Sequence, residues 1–462
     1  MSSIRRRHVR AKYCIPIFLL SCVAINMGLI VLWLSKQEHK TKLVPLDNNV
    51  INSPVVVIGH VVSLIQCGKV ARVTGFLDAA AVLRHSIHQQ SVHMGRSKYS
   101  YHMYAIVHTD CQDHASVLER LGYTLLIRDS PVPLSKIKEG WYKDHVEGEN
   151  CCGSKEFIKL YAYELEQHPV VVHWDLDVAV LQPMDDLFDS MLFDKTSIRG
   201  ATARARLELQ FPSFPLPDRI DAFFTRDITS SQPWESVQGV QGGFLVARPS
   251  KSVLQQYIHI IEEANYTASR ARGDGTGWGG LGYGGFQGAM AYQGIVAYYY
   301  DHFHKHAVEL NACRWNQVVA DVLWRGPARK DEFHLKCRQK QSQQCEDCRV
   351  TPIEKVKTVH YTACKKPWEC TLPYPRKTRN AAEQYRVDNL TNVTTCGRLF
   401  EKWFMLRRDF ETQLEKRAGV TPANRDGSYE PTSFLGYCKG QGQYIAMNPP
   451  PNDFNISKLY TI

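Results

Sequence analysis

The sequence lacks several features that would quickly assign it to a functional class. Its 462 residues contain no internal repeat and no long run of Lys or Arg interleaved with aromatic residues. The formal net charge of +10 therefore does not indicate a nucleic-acid partner. A formal G-x-G-x-x-G occurs at residues 275–280, but no clear strand precedes it and no Lys-Ser/Thr follows. We interpret this glycine-rich stretch as a flexible lid or acceptor-side loop, not as a phosphate-binding loop.

Long uncharged hydrophobic segments are also scarce, and the one at residues 13–34 is long enough to span a bilayer as a helix. The basic residues in front of it outweigh those behind it, which places the N-terminus in the cytosol. A cleaved signal peptide usually has an apolar core of about 7–15 residues and a small-residue cleavage site, and neither fits well. We expect a cytosolic tail (1–12), an uncleaved signal anchor (13–34) and a lumenal remainder in the Golgi or ER.

Cysteine usage agrees with a lumenal location. Of 14 cysteines, Cys14 and Cys22 lie in the apolar segment, which leaves an even number for the rest of the chain. The single "CEDC" (Cys345 to Cys348) has no matched second pair, so disulfides are a better prediction than a zinc site. Four N-glycosylation sequons favour the same compartment, at Asn265, Asn389, Asn392 and Asn455.

The remaining chain is predicted to have three parts. Residues 35–67 have no strong helical period and are interpreted as a stem, in which residues 55–65 form an extra strand or helix that is too short to span a membrane. From residue 68 to about 375, strand-like and helix-like segments alternate. The predicted strands include "GKVARVTGF" at the start, then "YHMYAIVHTD", "YTLLIRD" and later "GGFLVARPS". This order is typical of an α/β fold with helices on both faces of a sheet. Residues 376–462 form a C-terminal extension with one helix at about 398–417.

Two carboxylates interrupt an otherwise apolar segment, "HPVVVHWDLDVAVL". In a strand, Asp175 and Asp177 would point to the same side, because side-chain direction alternates with period two. Burying both is costly unless a cation holds them. At the carboxyl edge of a sheet they would suit Mn²⁺, or alternatively Mg²⁺, and through it a diphosphate. Asp-x-Asp is common by chance, so turn and capping roles remain the alternative for this motif taken alone.

A second motif strengthens the metal hypothesis. In "VHYTACKKPW", His360 is a candidate nitrogen ligand and Lys366 a candidate partner for a phosphate. Alone, His360 would more often be a structural histidine. Its occurrence together with Asp175 and Asp177 indicates a metal and diphosphate site.

These motifs together resemble family 8 glycosyltransferases, a retaining group with the GT-A fold, over roughly residues 69–370. The resemblance implies a Rossmann-like mixed sheet flanked by helices, and metal binding by Asp175, Asp177 and His360. It implies diphosphate binding by Lys366 in "KKPW" and donor binding by Lys159 and Asp175 in the helix–strand run. The other implied donor contacts are Phe76, near a uracil-stacking position, and Gln241 and Gly243 in "VQGGFLVARPS". "YQGIVAYYY" is similar to the family's Asp-Gln-Gly helix, which implies that Gln293 lies near the reacting carbon.

The sequence departs from the family pattern at two positions. Tyr292 stands where the family has Asp, and Gln241 stands where it has Asn. Both leave the identity of the sugar open, and the absence of an obvious nucleophile leaves front-face and double-displacement mechanisms open. The function implied is metal-dependent transfer from a UDP-sugar to a lumenal glycan or glycoprotein. The alternatives are a non-catalytic nucleotide-sugar or glycan-binding membrane protein and a glycan hydrolase, although no convincing separated carboxylate pair favours the latter.

Overall fold

The computed structural model describes most of the chain from residue 55 onward. The described ranges are 55–67, 70–149, 152–210, 215–229, 237–268, 276–320, 346–371, 395–424, 434–439 and 443–460. The predicted tail and signal anchor lie outside them. Within the described ranges, no helix is both long enough and apolar enough to cross a membrane.

A seven-stranded mixed sheet organises the fold, in the order β10-β6-β7-β4-β1-β2-β3. The strands of this sheet are β1 (Val57–Leu64), β2 (Ser100–His108), β3 (Thr124–Arg128), β4 (Val171–Trp174), β6 (Ala222–Arg226), β7 (Val240–Ala247) and β10 (Ala307–Glu309). Strand β7 is antiparallel to both of its neighbours, β4 and β6, and the other pairings are parallel. The predicted α/β class with a mixed sheet is therefore confirmed.

Four further strands form two small ribbons, and helices complete the described elements. Strand β5 (Val178–Val180) pairs with β11 (Thr358–His360), and β8 (Tyr266–Thr267) pairs with β9 (Gly277–Trp278). The α-helices are α1 (Val70–Gln89), α2 (Ala115–Arg120), α3 (Trp141–His145), α4 (Asp185–Leu192), α5 (Ile198–Glu208), α6 (Lys251–Glu263), α7 (Tyr292–Tyr298) and α8 (Thr395–Ala418). A 3₁₀ helix covers Gly153–Glu164.

Side chains along the central strands point alternately to the two faces of the sheet, and a hydrophobic core lies on each face. In β2, Met103, Ala105 and Val107 contribute to one buried cluster, which includes α1 and α8. Tyr104 and Ile106 contribute to the other, which includes the 3₁₀ helix, α6 and α7. A strand buried on both faces in this way reads as a continuous apolar run, as β1, β2 and β4 do.

The predicted start of the catalytic domain is wrong by about ten residues. Strand β1, which lies inside the predicted stem (35–67), pairs with β2 on one side and β4 on the other. The segment predicted as the first strand, "GKVARVTGF", instead enters helix α1. Its apolar residues Val70, Val73 and Phe76 recur every three positions, and the apolar positions that follow continue this helical face against the sheet. The helical spacing, together with packing on the sheet, therefore decides this segment.

The predicted C-terminal extension (376–462) contributes to the main core. Helix α8 buries six large apolar side chains, Leu399, Phe400, Trp403, Phe404, Phe410 and Leu414. Inside this interface the Arg407 guanidinium lies 3.2 Å from Glu411 and 3.8 Å from Asp78 of α1. Asp78 also accepts hydrogen bonds from the Tyr444 hydroxyl and the Met447 backbone N–H. Residues on both sides of the predicted boundary thus share one buried ionic network.

Disulfides connect several of these parts, as the cysteine count predicted. The four described pairs are Cys67–Cys111, Cys313–Cys348, Cys364–Cys396 and Cys370–Cys438. Because Cys348 is bonded to Cys313, the "CEDC" pair is not a zinc site. The last two disulfides bracket the loop that carries Lys366 and tie it to α8 and the C-terminal segment.

Candidate active site

The sequence predicted that Asp175 and Asp177 lie in one continuous strand, and this prediction is wrong. Strand β4 ends at Trp174, and a turn separates it from β5. The Asp175 N–H still donates to the Gly243 carbonyl at 3.0 Å, but Val178 pairs with His360 of β11. The chain therefore leaves the main sheet between the two carboxylates. This exit brings β11, and His360 with it, beside the turn.

Asp175, Asp177 and His360 form a compact cluster at the carboxyl end of β4. One ligand atom from each lies within 4.8 Å of the others. His360 Nε2 is 3.2 Å from Asp177 Oδ1 and 3.9 Å from Asp175 Oδ2. The side chains of His360 and Asp177 are 3 % and 4 % exposed, whereas that of Asp175 is 31 % exposed. The cluster is thus buried on one side and open to a cavity on the other.

Gln241 orients the His360 ring from behind. The Gln241 side-chain oxygen accepts hydrogen bonds from the Gly243 N–H at 2.7 Å and the Asn316 amide at 3.0 Å. The same oxygen lies 3.2 Å from His360 Nδ1, so Nδ1 must be the protonated nitrogen. Nε2 then presents a lone pair toward the carboxylates. Such an outer hydrogen bond is the usual way in which a metal-binding histidine is held.

Two acceptors, His360 Nε2 and Asp177 Oδ1, face each other in this arrangement. Burial lowers the pKa of His360, although Asp175 partly opposes this effect. With Nδ1–H directed at Gln241, a cation placed between the Nε2 lone pair and the two carboxylates would satisfy all three groups. An O₂N donor set accepts Mn²⁺ more readily than Mg²⁺, which prefers oxygen alone. The residues present fit a divalent cation.

Each carboxylate also has a lysine partner. Lys159 Nζ lies 2.9 Å from Asp175 Oδ1 and 2.8 Å from Glu156 Oε2. Burial would lower the Lys159 pKa, but Asp175 and Glu156 outweigh it and raise this pKa above its usual value. Burial would likewise raise the Asp175 pKa, but Lys159, His360 and His173 hold it below the usual range. On the other side of the cluster, Lys366 Nζ contacts Asp177 Oδ2.

Gly243 is needed because β7 passes directly under the cluster. A Cβ at this position would lie 2.4 Å from His360 Cε1 and 2.8 Å from Asp175 Oδ2. At Gly242 a Cβ would lie 2.9 Å from Gln293 Cγ. Real Cβ atoms do not approach this closely, so the two glycines allow the strand to support both the cluster and Gln293.

A cavity of about 280 Å³ lies over the cluster. Eight of the nine predicted site residues line it: Phe76, Lys159, Asp175, Asp177, Gln241, Gln293, His360 and Lys366. Phe76 also packs edge to face on Trp368 of the Lys366 loop, with ring centroids 5.4 Å apart. The ninth residue, Gly243, lies beneath the cluster. The structure therefore brings together residues that are up to 290 positions apart in the chain.

Asp227 also lines the cavity, and the sequence analysis missed it. It directly follows β6. Its Oδ2 accepts a hydrogen bond from the Gln293 amide at 3.2 Å, and its Oδ1 accepts one from the Thr229 hydroxyl. The sequence signal for Asp227 was its position directly after the strand-like segment "AFFTR". An Asp at the end of a strand lies at the edge of a sheet, where α/β proteins bind ligands.

Tyr292 takes a role different from that of an acidic residue. It is 1 % exposed, and its ring lies over the Lys159 ammonium at 5.5 Å from the centroid. Burial raises the pKa of its hydroxyl, so Tyr292 stays neutral. It shields Lys159 and contributes no charge to the cavity, which leaves Asp227 as the carboxylate beside Gln293.

No family model matches the sequence, and a comparison with curated proteins finds no match. Among solved structures, a bifunctional glycosyltransferase, WbbM, is similar over 69 % of this chain with 14 % identity and a TM-score of 0.36. The chain spans 48 % of that protein. Mouse xyloside xylosyltransferase 1 is similar over 66 % of this chain and 97 % of its own, with 12 % identity and a TM-score of 0.34.

The galactosyltransferase LgtC, solved in complex with donor and acceptor sugar analogues, gives a comparable result. The similarity covers 72 % of this chain and 94 % of LgtC, with 12 % identity and a TM-score of 0.33. Similarities this low carry no conclusion about what the present chain does. The function proposed next therefore rests on the residues of the site.

Proposed function

We propose that this protein is a metal-dependent glycosyltransferase that moves a sugar from a UDP-sugar to a glycan or glycoprotein, with retention at the anomeric carbon. One observation carries the proposal: His360 and two carboxylates converge on a cavity that a lysine also reaches. A cation held by Asp175, Asp177 and His360 would supply positive charge to a leaving diphosphate. A site that only bound nucleotide would have little need for this concentration of charge.

Four other cavity residues have specific roles in this proposal. Lys366 neutralises the leaving diphosphate as a second positive group. Lys159 is held by Glu156 and Asp175, so it fixes Asp175 and contacts the donor only at the cavity wall. Asp227 and Gln293, joined by their hydrogen bond, position hydroxyl groups of the donor sugar beside the reacting carbon.

We also propose a type II membrane protein of the Golgi or ER with its catalytic domain in the lumen. The uncharged segment at residues 13–34 and its basic N-terminal flank support this topology. The four described disulfides support an oxidising compartment.

A donor screen tests the proposed reaction. Full-length protein purified in detergent is incubated with a panel of UDP-sugars, with Mn²⁺, Mg²⁺ or a chelator, and released UDP is measured. We expect at least one donor to give UDP with Mn²⁺ and none with the chelator. Activity that persists in the chelator would contradict the metal role. Metal-dependent UDP binding without turnover across donors and acceptors would favour the non-catalytic alternative.

Lys366→Met should separate binding of the metal from binding of the diphosphate. Lys366 contacts Asp177, so we expect its removal to tighten Mn²⁺ binding in the absence of nucleotide. The same change should weaken UDP binding in the presence of Mn²⁺ and lower UDP release by about 10²-fold, as expected for loss of one preorganised charge. Manganese binding is measured by electron paramagnetic resonance of the free ion.

Lys365→Met is the matched control, because Lys365 is the exposed neighbour in the same loop. It should leave both affinities close to those of the wild type. An unchanged or weaker Mn²⁺ affinity in Lys366→Met would show that the lysine does not compete for Asp177.

A further inference from the structure

A second group of metal-binding side chains lies away from the cavity. Asp221, directly before β6, meets His304 and His306, which lie directly before β10. Asp227, at the other end of β6, lines the cavity, so roughly 17–20 Å of strand separates the two places. The proposed sugar transfer makes no use of Asp221, His304 or His306.

Their ligand atoms all lie within 4.8 Å of one another, close to the spacing of a tetrahedral site. Asp221 Oδ2 is 2.8 Å from His304 Nε2 and 3.3 Å from His306 Nδ1. Zinc takes nitrogen and carboxylate ligands at about 2.0–2.2 Å in a tetrahedron, which places neighbouring ligand atoms about 3.3 Å apart. The shorter of the two observed distances, that of His304, must lengthen by about 0.5 Å, which a ring that is 35 % exposed allows.

Backbone hydrogen bonds hold the three residues in place. The Asp221 N–H donates to the His306 carbonyl at 2.8 Å, and the His306 N–H donates to the His304 carbonyl at 2.8 Å. The His304 ring stacks on Tyr299, with centroids 5.8 Å apart. The three ligands are therefore already held near one another before a metal binds, which reduces the entropy cost of binding.

Two arginines contact the Asp221 carboxylate, and both have one favourable and one unfavourable effect on metal binding. Arg219 Nε and Arg248 Nε lie 2.7 Å and 3.4 Å from Asp221 Oδ1. They hold this oxygen and so leave Oδ2 facing the histidines, as an outer hydrogen bond to a ligating carboxylate does. Their charge also repels a cation, so the affinity must come from the two imidazole nitrogens.

We propose that Asp221, His304 and His306 bind Zn²⁺ and thereby join β10, an edge strand of three residues, to the start of β6. Two imidazoles and one carboxylate favour zinc over Mn²⁺ or Mg²⁺, which prefer oxygen. The metal preference of this site therefore differs from that of the Asp175, Asp177 and His360 cluster. The inference is independent of the proposed transferase activity.

Zinc stoichiometry tests the proposal directly. Full-length protein is stripped with a chelator, dialysed against micromolar Zn²⁺, and its bound zinc is measured by mass spectrometry. We expect the His304→Ala/His306→Ala double variant to bind one zinc per chain fewer than the wild type. In a parallel titration with Co²⁺, the difference spectrum between the two proteins should show the visible bands of a tetrahedral site.

The controls separate binding from folding. His302→Ala removes an exposed histidine outside the cluster and should behave like the wild type. His306→Ala alone changes a half-exposed ring and should lose the cobalt bands while its unfolding temperature without metal is unchanged. Equal zinc content in the wild type and the double variant would overturn the proposal, as would a wild type that binds no zinc.

Discussion

Asp177→Asn is expected to lower metal-dependent UDP release by about 10²–10³-fold, the loss seen when one preorganised electrostatic group is removed from a catalytic site. Asp177 is almost fully buried, and its two oxygens face His360 and Lys366. The amide keeps the shape of the side chain but carries no charge. The metal would then lose one charged ligand, and Lys366 would lose its charged partner.

Two measurements distinguish loss of the metal site from loss of the fold. The unfolding temperature of Asp177→Asn without metal should stay near that of the wild type, while its Mn²⁺ affinity falls. Asp113→Asn, at an exposed position away from the cavity, is the matched control and should retain full activity. Wild-type turnover by Asp177→Asn at saturating Mn²⁺ would sink the metal assignment.

Arg407→Ala should have the largest effect on stability, a loss of about 3–5 kcal/mol in the free energy of unfolding. Arg407 is fully buried between Asp78 and Glu411, and its guanidinium lies 4.0 Å from the centroid of Tyr437. Removing it leaves two buried carboxylates without their cation. Burial already raises the pKa of Asp78 against the opposing charge of Arg407, so the variant should favour a protonated Asp78.

Chemical denaturation of the wild type, Arg407→Ala and Arg408→Ala measures this effect. Arg408 is the exposed neighbour on the same helix, and its replacement should change stability by less than about 0.5 kcal/mol. The comparison also tests whether α8 is part of the core. If Arg407→Ala were as stable as Arg408→Ala, the C-terminal segment would be an appendage, as the sequence alone suggested.

The buried network bears on the cavity as well as on stability. Asp78 lies two residues after Phe76, which lines the cavity, and Arg407 belongs to the helix that Cys396 ties to the Lys366 loop. The C-terminal segment therefore supports the cavity wall that Phe76 and the Lys366 loop form. Its helix was predicted from the sequence, but this supporting position was not, because periodicity shows that a face is apolar without showing what covers it.

Strands were predicted correctly where the local apolar pattern was clear, and incorrectly where tertiary packing determined the secondary structure. Strands β2, β3 and β7 followed from their apolar runs, and α8 from its helical spacing. Strand β1 lay in the predicted stem, where residues 55–65 were interpreted as either a strand or a helix, because periodicity alone does not separate the two in a short apolar run. Only its pairing with β2 and β4 makes it the centre of the sheet.

The sequence by itself determined the chemistry of the site: two carboxylates, a histidine and lysines, in motifs that indicate a cation and a diphosphate. The tertiary structure decided their geometry, because β4 ends between the carboxylates and β11 folds back beside them. It also decided the roles of Gln241, Tyr292 and Asp227, which hold His360, shield Lys159 and join Gln293. Residue types are fixed along the chain, whereas their partners depend on strand pairings between segments far apart in sequence, and no local pattern encodes those pairings.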